Sequence, residues 1–512
     1  MKNFKYLFFI APFIFSSCDD DDFGVSPIVE EVSVPVPAEV IYTSGTANFS
    51  KFVSVGNSLT AGYSDAALFI DGQATSFPNI LSQQFALAGG GNFTQPLMND
   101  NLGGLLLGGN QITSNRLFLS FASGSPAPTP ISGTPTTEVS NVLAGPFSNM
   151  GVPGAKIYHL GVNGYGNVAG VATGLANPFY ARMASSSNAS VIGDAMAQDP
   201  SFFSLWIGNN DILSFATSGG AGVDQTGNFN PATYGGNDIT DPNVFASAFN
   251  GLLQGLTSTG AKGIVANLPS IASIPYFTTV PYNAIPLDEA TAAFLNSAAA
   301  YGTYNGGIQQ ALGALAGTGL FTAEEAAKRT INFTAGQNAV VIIDEDLTDL
   351  GAINPAFAAL PKYRQATAED LLVLTSRTFL GTLADPNNPS SVNGVGVPLA
   401  DKWVLTPEEQ EAIEMARTAY NQTIEALAQQ YGLAFFDAEQ SLSNLVSTGI
   451  TQNGITTTAV YATGGGFSLD GVHPSPRGYA IIVNGMIDAI NAKYGSNLPK
   501  VNVRNYKGLY IN

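Results

Sequence analysis

The sequence is poor in the residues that bind metals and form disulfides. Among its 512 residues there is one cysteine, Cys18, and there are two histidines, His159 and His473. A single cysteine excludes an intramolecular disulfide, and two histidines exclude a zinc site built from several imidazoles. The sequence therefore predicts a protein without a metal and without a cofactor.

Positive charge is also scarce. The chain has 19 Lys and Arg against 38 Asp and Glu, which gives a net charge of −19, and only 11% of its residues are charged. A surface that binds a nucleic-acid duplex needs clustered Lys and Arg to displace counterions, and the sequence has no such cluster. Nucleic acid is therefore excluded as an expected partner.

The N-terminal segment has the pattern of a signal peptide. Lysines precede an apolar run at 7–15 that is too short to span a bilayer, and two serines then precede Cys18. This resembles a lipoprotein cleavage site, so residues 1–18 are predicted to be a signal peptide and Cys18 the acylated residue. The four aspartates at 19–22 resemble the acidic tag of surface lipoproteins of the Bacteroidetes type. We expect an outer-membrane lipoprotein anchored by its lipid; an ordinary secretory signal and a solvated spacer are the alternatives.

Composition suggests how the rest of the chain is divided. Residues 19–49 are rich in Asp, Val and Pro without a helical period, which predicts an extended tether. The folded body is predicted over 50–495, with long insertions at about 66–147 and 286–400. Residues 496–512 are predicted to be a C-terminal tail.

Short apolar runs alternate with helical patterns along the predicted body. Apolar residues from Phe245 to Leu256 have helical spacing, and the sequence from Thr406 to Glu409 is a capping box with proline at the first helical position. The candidate buried strands are the apolar runs at 52–55, 202–207, 263–268 and 433–436. This alternation predicts an α/β fold, a three-layer α/β/α sandwich around a parallel sheet.

A pair of residues near the C-terminus is suited to activate a hydroxyl group. Asp470 and His473 are three residues apart, so one loop can hold a carboxylate against one imidazole nitrogen while the other nitrogen faces a nucleophile. His159 has no carboxylate near it in the sequence and is predicted to be structural. Ser58 lies in the polar turn after the first predicted strand, a kind of turn in which serine is common, so on its own it is weak evidence for a nucleophile.

Four short blocks resemble the signature blocks of the SGNH (GDSL-like) hydrolases. They are Gly-Asn-Ser-Leu at 56–59, Asn-Met-Gly-Val-Pro-Gly at 149–154, Gly-Asn-Asn-Asp at 208–211 and Asp-Gly-Val-His at 470–473. Each block is common alone, whereas four in this order are specific. The resemblance implies a flavodoxin-like fold and a serine esterase or lipase that acts through an acyl-enzyme on lipid or other carboxylic esters.

The resemblance also implies a role for each matching residue. Ser58 is the nucleophile, His473 the general base and later acid, and Asp470 the residue that orients it. The oxyanion hole is formed by the backbone N–H groups of Ser58 and Gly154 and the side-chain amide of Asn210. Gly151, three residues before Gly154, is an alternative donor of the second N–H.

The chain departs from the family pattern in two respects. Asn57 stands where the family has aspartate, and because that aspartate does not accept the proton we expect local tuning without loss of activity. The blocks are also separated by long insertions, so the resemblance covers only about 50–60, 149–157, 203–285 and 406–490. The insertions are expected to shape the substrate pocket.

Three other motifs in the sequence are incomplete. The nucleophile elbow of α/β-hydrolases is absent because Thr60 stands where glycine is needed. The glycine-rich run at 164–169 lacks the preceding strand of a dinucleotide site, and the acidic run at 344–349 lacks the glycine and closing glutamate of a calcium loop. Two alternatives remain open: a carbohydrate O-deacetylase, and a catalytically silent surface lipoprotein that binds glycan or lipid.

Overall fold

The computed structural model describes residues 40–122 and 126–511. Contacts divide the chain into Met1–Ile41 and Tyr42–Asn512, and the fold described here is that of the second unit. The predicted signal peptide, Cys18 and the aspartates at 19–22 lie outside the described residues, as does most of the predicted tether.

A five-stranded parallel sheet forms the centre of this unit. Its strands are β1 (Phe52–Gly56), β2 (Asn149–Gly151), β3 (Phe202–Trp206), β4 (Lys262–Ala266) and β5 (Ala434–Phe436). They lie in the order β5-β4-β3-β1-β2. Every residue of β1, β2 and β3 is buried, as expected for strands covered on both faces. The predicted α/β class with a parallel sheet is confirmed.

Two groups of helices flank the sheet, which is compatible with three layers. The main helices are α1 (Ser58–Ala61), α2 (Phe77–Ala86), α3 (Asn210–Thr217), α4 (Pro242–Thr257), α5 (Pro407–Gln430), α6 (Ala438–Ser447) and α7 (Pro476–Tyr494). In one group α2 packs against α7, and in the other α5 packs against α3 and α4. The predicted capping box opens α5, where Thr406 and Glu409 each accept the other's backbone N–H. Among residues 40–122 and 126–511, no helix has the length and apolarity that a membrane crossing requires.

Shorter helices and strands connect the main elements. The further α-helices are Ile70–Ala74, Val168–Val171, Pro178–Ala181, Val191–Met196, Pro275–Thr278, Glu289–Asn296, Tyr301–Ala314, Ala323–Arg329 and Leu350–Ile353. The 3₁₀ helices are Ile157–Gly161, Pro231–Thr233, Ile271–Ser273, Pro355–Phe357, Leu374–Thr378, Asp401–Trp403 and Val503–Asn505. The small ladders pair Leu105–Leu107 with Asn110–Gln111 and Thr137–Glu138, Leu117–Ser120 with Ala127–Pro130, Ile285–Leu287 with Gly336–Asn338, Val341–Ile343 with Tyr363–Gln365, Leu371–Leu372 with Val404–Leu405, and Ile450–Gln452 with Ile455–Thr457.

The second predicted insertion, 286–400, has its own apolar core. Residues such as Ile331, Val340 and Ile342 are fully buried in a cluster separate from that of the main sheet. The strand predicted at 340–343 is present as Val341–Ile343, but it pairs in an antiparallel two-stranded ladder and not with the central sheet. The insertion is thus an elaboration beside the sheet, within the same compact unit.

The ends of the folded body differ from the predicted ones. The tether was expected to reach residue 49, yet Phe49 is buried and stacks on Phe85 with ring centroids 4.1 Å apart. Val503 and Tyr510, in the predicted tail, are also buried. These buried residues stand singly in segments without a hydrophobic period, so the sequence did not predict their burial. In the structure they pack against the edges and helices of the central sheet.

The first predicted insertion also contains a core helix. The region 66–147 was expected to be rich in loops, which holds for most of it, but α2 packs against α7. Ser76 caps this helix by accepting the N–H of Asn79, and Pro78 stands in its first turn. This cap was the signal that the sequence interpretation missed.

Candidate active site

The nucleophile candidate lies where β1 ends. Gly56 closes the strand, and a Cβ there would lie 2.4 Å from the carbonyl oxygen of Trp206, so no larger residue fits between β1 and β3. Asn57 is fully buried and caps α1 by accepting the N–H of Leu59 at 3.0 Å. Ser58 is the first residue of α1, and its hydroxyl therefore stands at the carboxyl edge of the sheet, where reactive groups of such sheets gather.

Ser58, His473 and Asp470 form one hydrogen-bonded chain. The Oγ of Ser58 lies 2.8 Å from Nε2 of His473, and Nδ1 of His473 lies 2.9 Å from Oδ2 of Asp470. The serine and the histidine are 415 residues apart in the sequence. The structure therefore brings together the three residues that the sequence predicted as a catalytic group.

Asp470 is held as a carboxylate by its surroundings. Burial alone raises the pKa of this carboxyl, but the charge of His473 and hydrogen bonds from His473 and Val472 outweigh it and lower the pKa to about 2. Its Oδ1 accepts the N–H groups of Val472 and His473 at 2.9 and 2.8 Å and the hydroxyl of Ser468 at 3.0 Å. Its Oδ2 accepts the N–H of Ala66 at 2.9 Å in addition to the imidazole. The carboxylate is thus fixed in position on both oxygens.

Two residues beside this group were not predicted from the sequence. The ring of Tyr63 lies 4.8 Å from the ring of His473, and the carboxyl of Asp65 accepts the N–H of Leu469 at 2.9 Å. Burial, followed by the nearby charge of Asp470, raises the pKa of Asp65 to about 7, against the lowering effect of the Leu469 hydrogen bond. Both residues follow α1 within seven positions of Ser58, but their closeness to the histidine loop depends on the tertiary fold.

Asn210 presents its amide in the same cavity as Ser58 and His473. It is the first residue of α3, after the turn that ends β3. Its Nδ2 donates one hydrogen to the carbonyl of Ala155 at 2.9 Å, which fixes the amide plane. An amide nitrogen has two hydrogens, so the second remains available to an oxyanion.

Gly154 and Gly151 are distinguished by their environments. Gly151 lies within β2, packs against the backbone of Ala61 in α1, and donates its N–H to the side chain of Asn149 at 3.0 Å. Gly154 is exposed in the following turn with φ of +79°, and no described residue accepts its N–H. It directly precedes Ala155, which accepts the amide of Asn210. Of the two glycines, only Gly154 therefore has an N–H free to bind an anion.

A buried carboxyl holds these two turns together. Asp211, next to Asn210, accepts the N–H of Ile157 at 3.0 Å and the hydroxyl of Thr240 at 2.7 Å. Burial raises the pKa of Asp211 to about 6, although Thr240, Lys156 and Ile157 oppose this effect. Asp211 thereby fixes the segment that carries Gly154 relative to the helix that carries Asn210.

No protein-family model, curated protein or solved structure significantly matches the chain. What the site can do therefore follows from its own geometry.

An apolar cavity of about 110 Å³ opens beside the hydroxyl of Ser58. Apart from Ser58, Asn209, Asn210 and His473, few polar side chains line it. Its walls come from the ends of β3 and β5, from α6 and α7, and from the segment after β4; among the lining residues are Trp206, Ile271, Leu442, Leu445, Phe467 and Ile482. The hydroxyl of the hydrogen-bonded Ser58 thus borders a cavity whose apolar walls suit a hydrocarbon group.

His159 is accounted for by the fold. Its Nδ1 accepts the backbone N–H of Lys156 at 3.1 Å, and its ring stacks on Tyr165 with centroids 4.7 Å apart. The glycine-rich run at 164–169 follows the 3₁₀ helix Ile157–Gly161 and not a strand, so it lacks the context of a dinucleotide site. In the part of the chain that the structure describes, one group of carboxylates suits a metal ion, Glu345, Asp401 and Glu409, and none of them lines the cavity.

The partly buried position of His159 makes a pH dependence of folding stability predictable. Burial, aided by the charge of Lys156, lowers the pKa of His159 from 6.5 to about 4. The unfolded chain therefore binds more protons at this residue between pH 6.5 and 4, so folding stability falls as the pH falls through that window. We expect its imidazole signal in NMR, assigned by its loss in His159→Gln, to titrate with a midpoint near 4. A midpoint near 6.5 would contradict the partly buried, neutral imidazole.

Proposed function

We propose that this protein is a serine ester hydrolase of the SGNH type. The observation that carries the proposal is the chain of hydrogen bonds from Ser58 Oγ to His473 Nε2 and from His473 Nδ1 to Asp470, at 2.8 and 2.9 Å. A serine hydroxyl is a weak nucleophile until a positioned base removes its proton, and an oriented imidazole is the usual base.

The proposed reaction has two steps. In the first, Ser58 Oγ attacks the ester carbonyl while His473 takes its proton, and the imidazolium then gives that proton to the departing alcohol. In the second, His473 removes a proton from water, the resulting hydroxide attacks the acyl-serine, and the proton returns to Ser58 as the acid leaves. Asp470 stabilises the imidazolium in both steps and remains ionised, since its pKa of about 2 lies far below neutral pH.

The developing oxyanion has candidate donors at two neighbouring turns. The amide of Asn210 has a second hydrogen to donate, and the N–H groups of Ser58 and Gly154 are not accepted by any described residue. Ser58 and Asn210 also stand at helix N-termini, where the positive end of the helix dipole favours negative charge. These features support an oxyanion hole formed by Ser58, Gly154 and Asn210.

The topology also supports the family assignment. The strand order β5-β4-β3-β1-β2 is the flavodoxin-like order 2-1-3-4-5, and the four sequence blocks stand at or near the carboxyl ends of its strands and at the start of α7. The departure at Asn57 has a local explanation. Its oxygen keeps the cap on α1, and its Nδ2 lies 3.4 Å from Oδ1 of Asn209, a donation that aspartate cannot make.

The cavity favours esters with an apolar acyl chain over acetylated carbohydrate. A sugar presents many hydroxyls that need hydrogen-bond partners once they are removed from water, and the walls formed by Leu442, Leu445 and Ile482 provide none. A hydrocarbon chain gains about 0.8 kcal/mol for each buried methylene. We therefore propose a lipase or long-chain esterase, and we further propose that acylation of Cys18 anchors it at the outer membrane.

Labelling with a fluorophosphonate tests the nucleophile. We expect the wild-type chain to be labelled at Ser58, because the probe reacts with a serine whose proton is removed by a base, and Ser58→Ala to lose both label and esterase activity. Ser441→Ala is the matched control, since Ser441 lines the same cavity without a histidine partner. An unlabelled wild-type chain would instead support a silent binding protein.

The amide of Asn210 is expected to act on the transition state. Asn210→Ala should lower kcat by about 10²–10³, with a smaller change in KM, because an oxyanion donor binds the transition state more strongly than the substrate. Steady-state kinetics on a p-nitrophenyl ester measure this, with Ser441→Ala again as control. A rise in KM alone at unchanged kcat would exclude the role.

Filling the cavity should shorten the acyl chain that is accepted. Ile482 is partly buried on α7 and lines the cavity, so Ile482→Trp places a larger ring within it. For p-nitrophenyl palmitate we expect kcat/KM to fall by about 10-fold or more, in the range that lost apolar contacts produce, and for the acetate to change less than about twofold. Ile112→Trp, at an exposed isoleucine outside the cavity, is the control. Equal losses on both esters would show that the cavity does not hold the acyl chain.

A further inference from the structure

A cluster of three carboxylates lies outside the proposed catalytic site. Glu345 follows the short strand Val341–Ile343 of the second insertion, Asp401 opens the 3₁₀ helix Asp401–Trp403, and Glu409 lies in the first turn of α5. One carboxylate oxygen from each of the three lies within 4.8 Å of the others. Glu345 lies 56 residues before Asp401, and Asp401 lies eight residues before Glu409, so no contiguous loop motif predicted this arrangement.

One oxygen of Glu409 is buried without any partner. Glu409 is more than nine-tenths buried, and its Oε2 accepts the N–H of Thr406 at 2.7 Å, as the capping box requires. Its Oε1 is inaccessible to solvent and has no hydrogen-bond partner. The capping box uses only one oxygen of the glutamate and leaves the other without a partner from the box. Here that oxygen is deprived of water, a state that costs free energy unless something else binds it.

The neighbouring backbone closes over this oxygen without bonding to it. Gly220 has φ of +82°, and a Cβ on it would lie 1.7 Å from Oε1 of Glu409. The N–H groups of Gly219 and Gly220 donate to the carbonyls of Ala216 and Phe215 at the end of α3. The turn is therefore shaped around the carboxylate, while its donors are used elsewhere.

The basic residues nearby do not neutralise the cluster. The ammonium of Lys362 donates to the backbone carbonyl of Glu345 at 2.6 Å, and the ammonium of Lys402 lies 5.2 Å from the Trp403 ring. Arg364 is bonded to Asp344 and Asp370. Among the described residues, no salt bridge involves the carboxylate of Glu345, Asp401 or Glu409.

We propose that Glu345, Asp401 and Glu409 bind a calcium ion that ties the second insertion to α5. Carboxylate oxygens are hard ligands, and Ca²⁺ accepts six to eight oxygens in flexible geometry, with water completing the shell. Glu345 is exposed, so one side of the site is open to that water. The ion would also fix the Gly219–Gly220 turn at the end of α3, the helix that begins with Asn210. This site is independent of ester hydrolysis.

Calcium binding is tested on the full-length chain after removal of metal with a chelator. We expect calcium to raise Tm by about 3 °C at a concentration 100-fold above Kd, magnesium to have a smaller effect, and calorimetry to give one site. Terbium bound in place of calcium should luminesce on indole excitation, because Trp403 is two residues from Asp401 and their Cα atoms are at most about 7.6 Å apart. Trp403→Phe should lose this luminescence and keep the calcium-dependent Tm shift.

The variant Glu409→Gln gives the sharpest test. Glutamine keeps an acceptor for the Thr406 N–H, but it removes one negative charge from the cluster. We expect at least about a 10-fold loss of calcium affinity and loss of the Tm shift, while in chelator the variant should be as stable as wild type or more so, because repulsion is relieved. Glu411→Gln, the same change at an exposed residue of α5, should bind calcium normally.

A second variant and two negative results complete the test. Asp401→Asn should also lose the calcium response, which covers the case in which Glu409→Gln does not fold. If the wild-type chain shows no heat, no Tm shift and no luminescence up to about 10 mM calcium, ten times the weakest Kd of extracellular calcium modules, the cluster holds shared protons instead of a metal. Calcium binding that both variants retain would place the ion elsewhere and overturn the proposal.

Discussion

The geometry of the candidate site depends on how the carboxylate of Asp470 is held. Five donors from two segments of the chain meet its two oxygens: N–H groups of Ala66, Val472 and His473, the hydroxyl of Ser468 and the imidazole itself. Because the N–H of Ala66 comes from the loop after α1, the same carboxylate that orients the imidazole also anchors the loop behind Ser58. The distance between serine and histidine is thus set by one charged group and not by two independent loops.

How much of this arrangement could be predicted depends on where the information lies in the chain. The blocks at 56–59, 208–211 and 470–473 contain their candidate residues within a few positions, so Ser58, Asn210, Asp470 and His473 could be predicted from the sequence as members of one site. Parallel strands then bring their carboxyl ends to one edge, which the alternation of helices and apolar runs already indicated. Asp65 and the buried Phe49 gave no such signal, because their roles depend on partners outside their own segment, Leu469 for the first and Phe85 and Phe202 for the second.

The insertions raise a different difficulty. Their strands are short and antiparallel, and their helices are capped locally, so sequence patterns indicated elements without showing where they attach. The contact between the second insertion and α5 is made partly by acidic side chains, which ordinarily repel. In a chain with a net charge of −19, bringing carboxylates together at a half-buried site costs free energy unless bound protons or a cation offset their repulsion. The turn at Gly220 also packs closely against the carboxylate of Glu409, so the cluster is restricted by steric contact as well as by charge repulsion.

The apolar cavity beside Ser58 is formed mainly by parts of the central fold. Its walls are contributed mainly by α6, α7 and the ends of β3 and β5, which are parts of the central fold, and by the segment after β4. No described residue of either predicted insertion, 66–147 or 286–400, lines it, so the expectation that the insertions shape the pocket is not met. Since α7 begins at Pro476, three residues after His473, a short segment joins the imidazole to the helix that carries Ile482. An acyl chain packed against α7, as proposed, would then lie beside the segment that carries His473, which would link chain recognition to the proposed chemistry at Ser58.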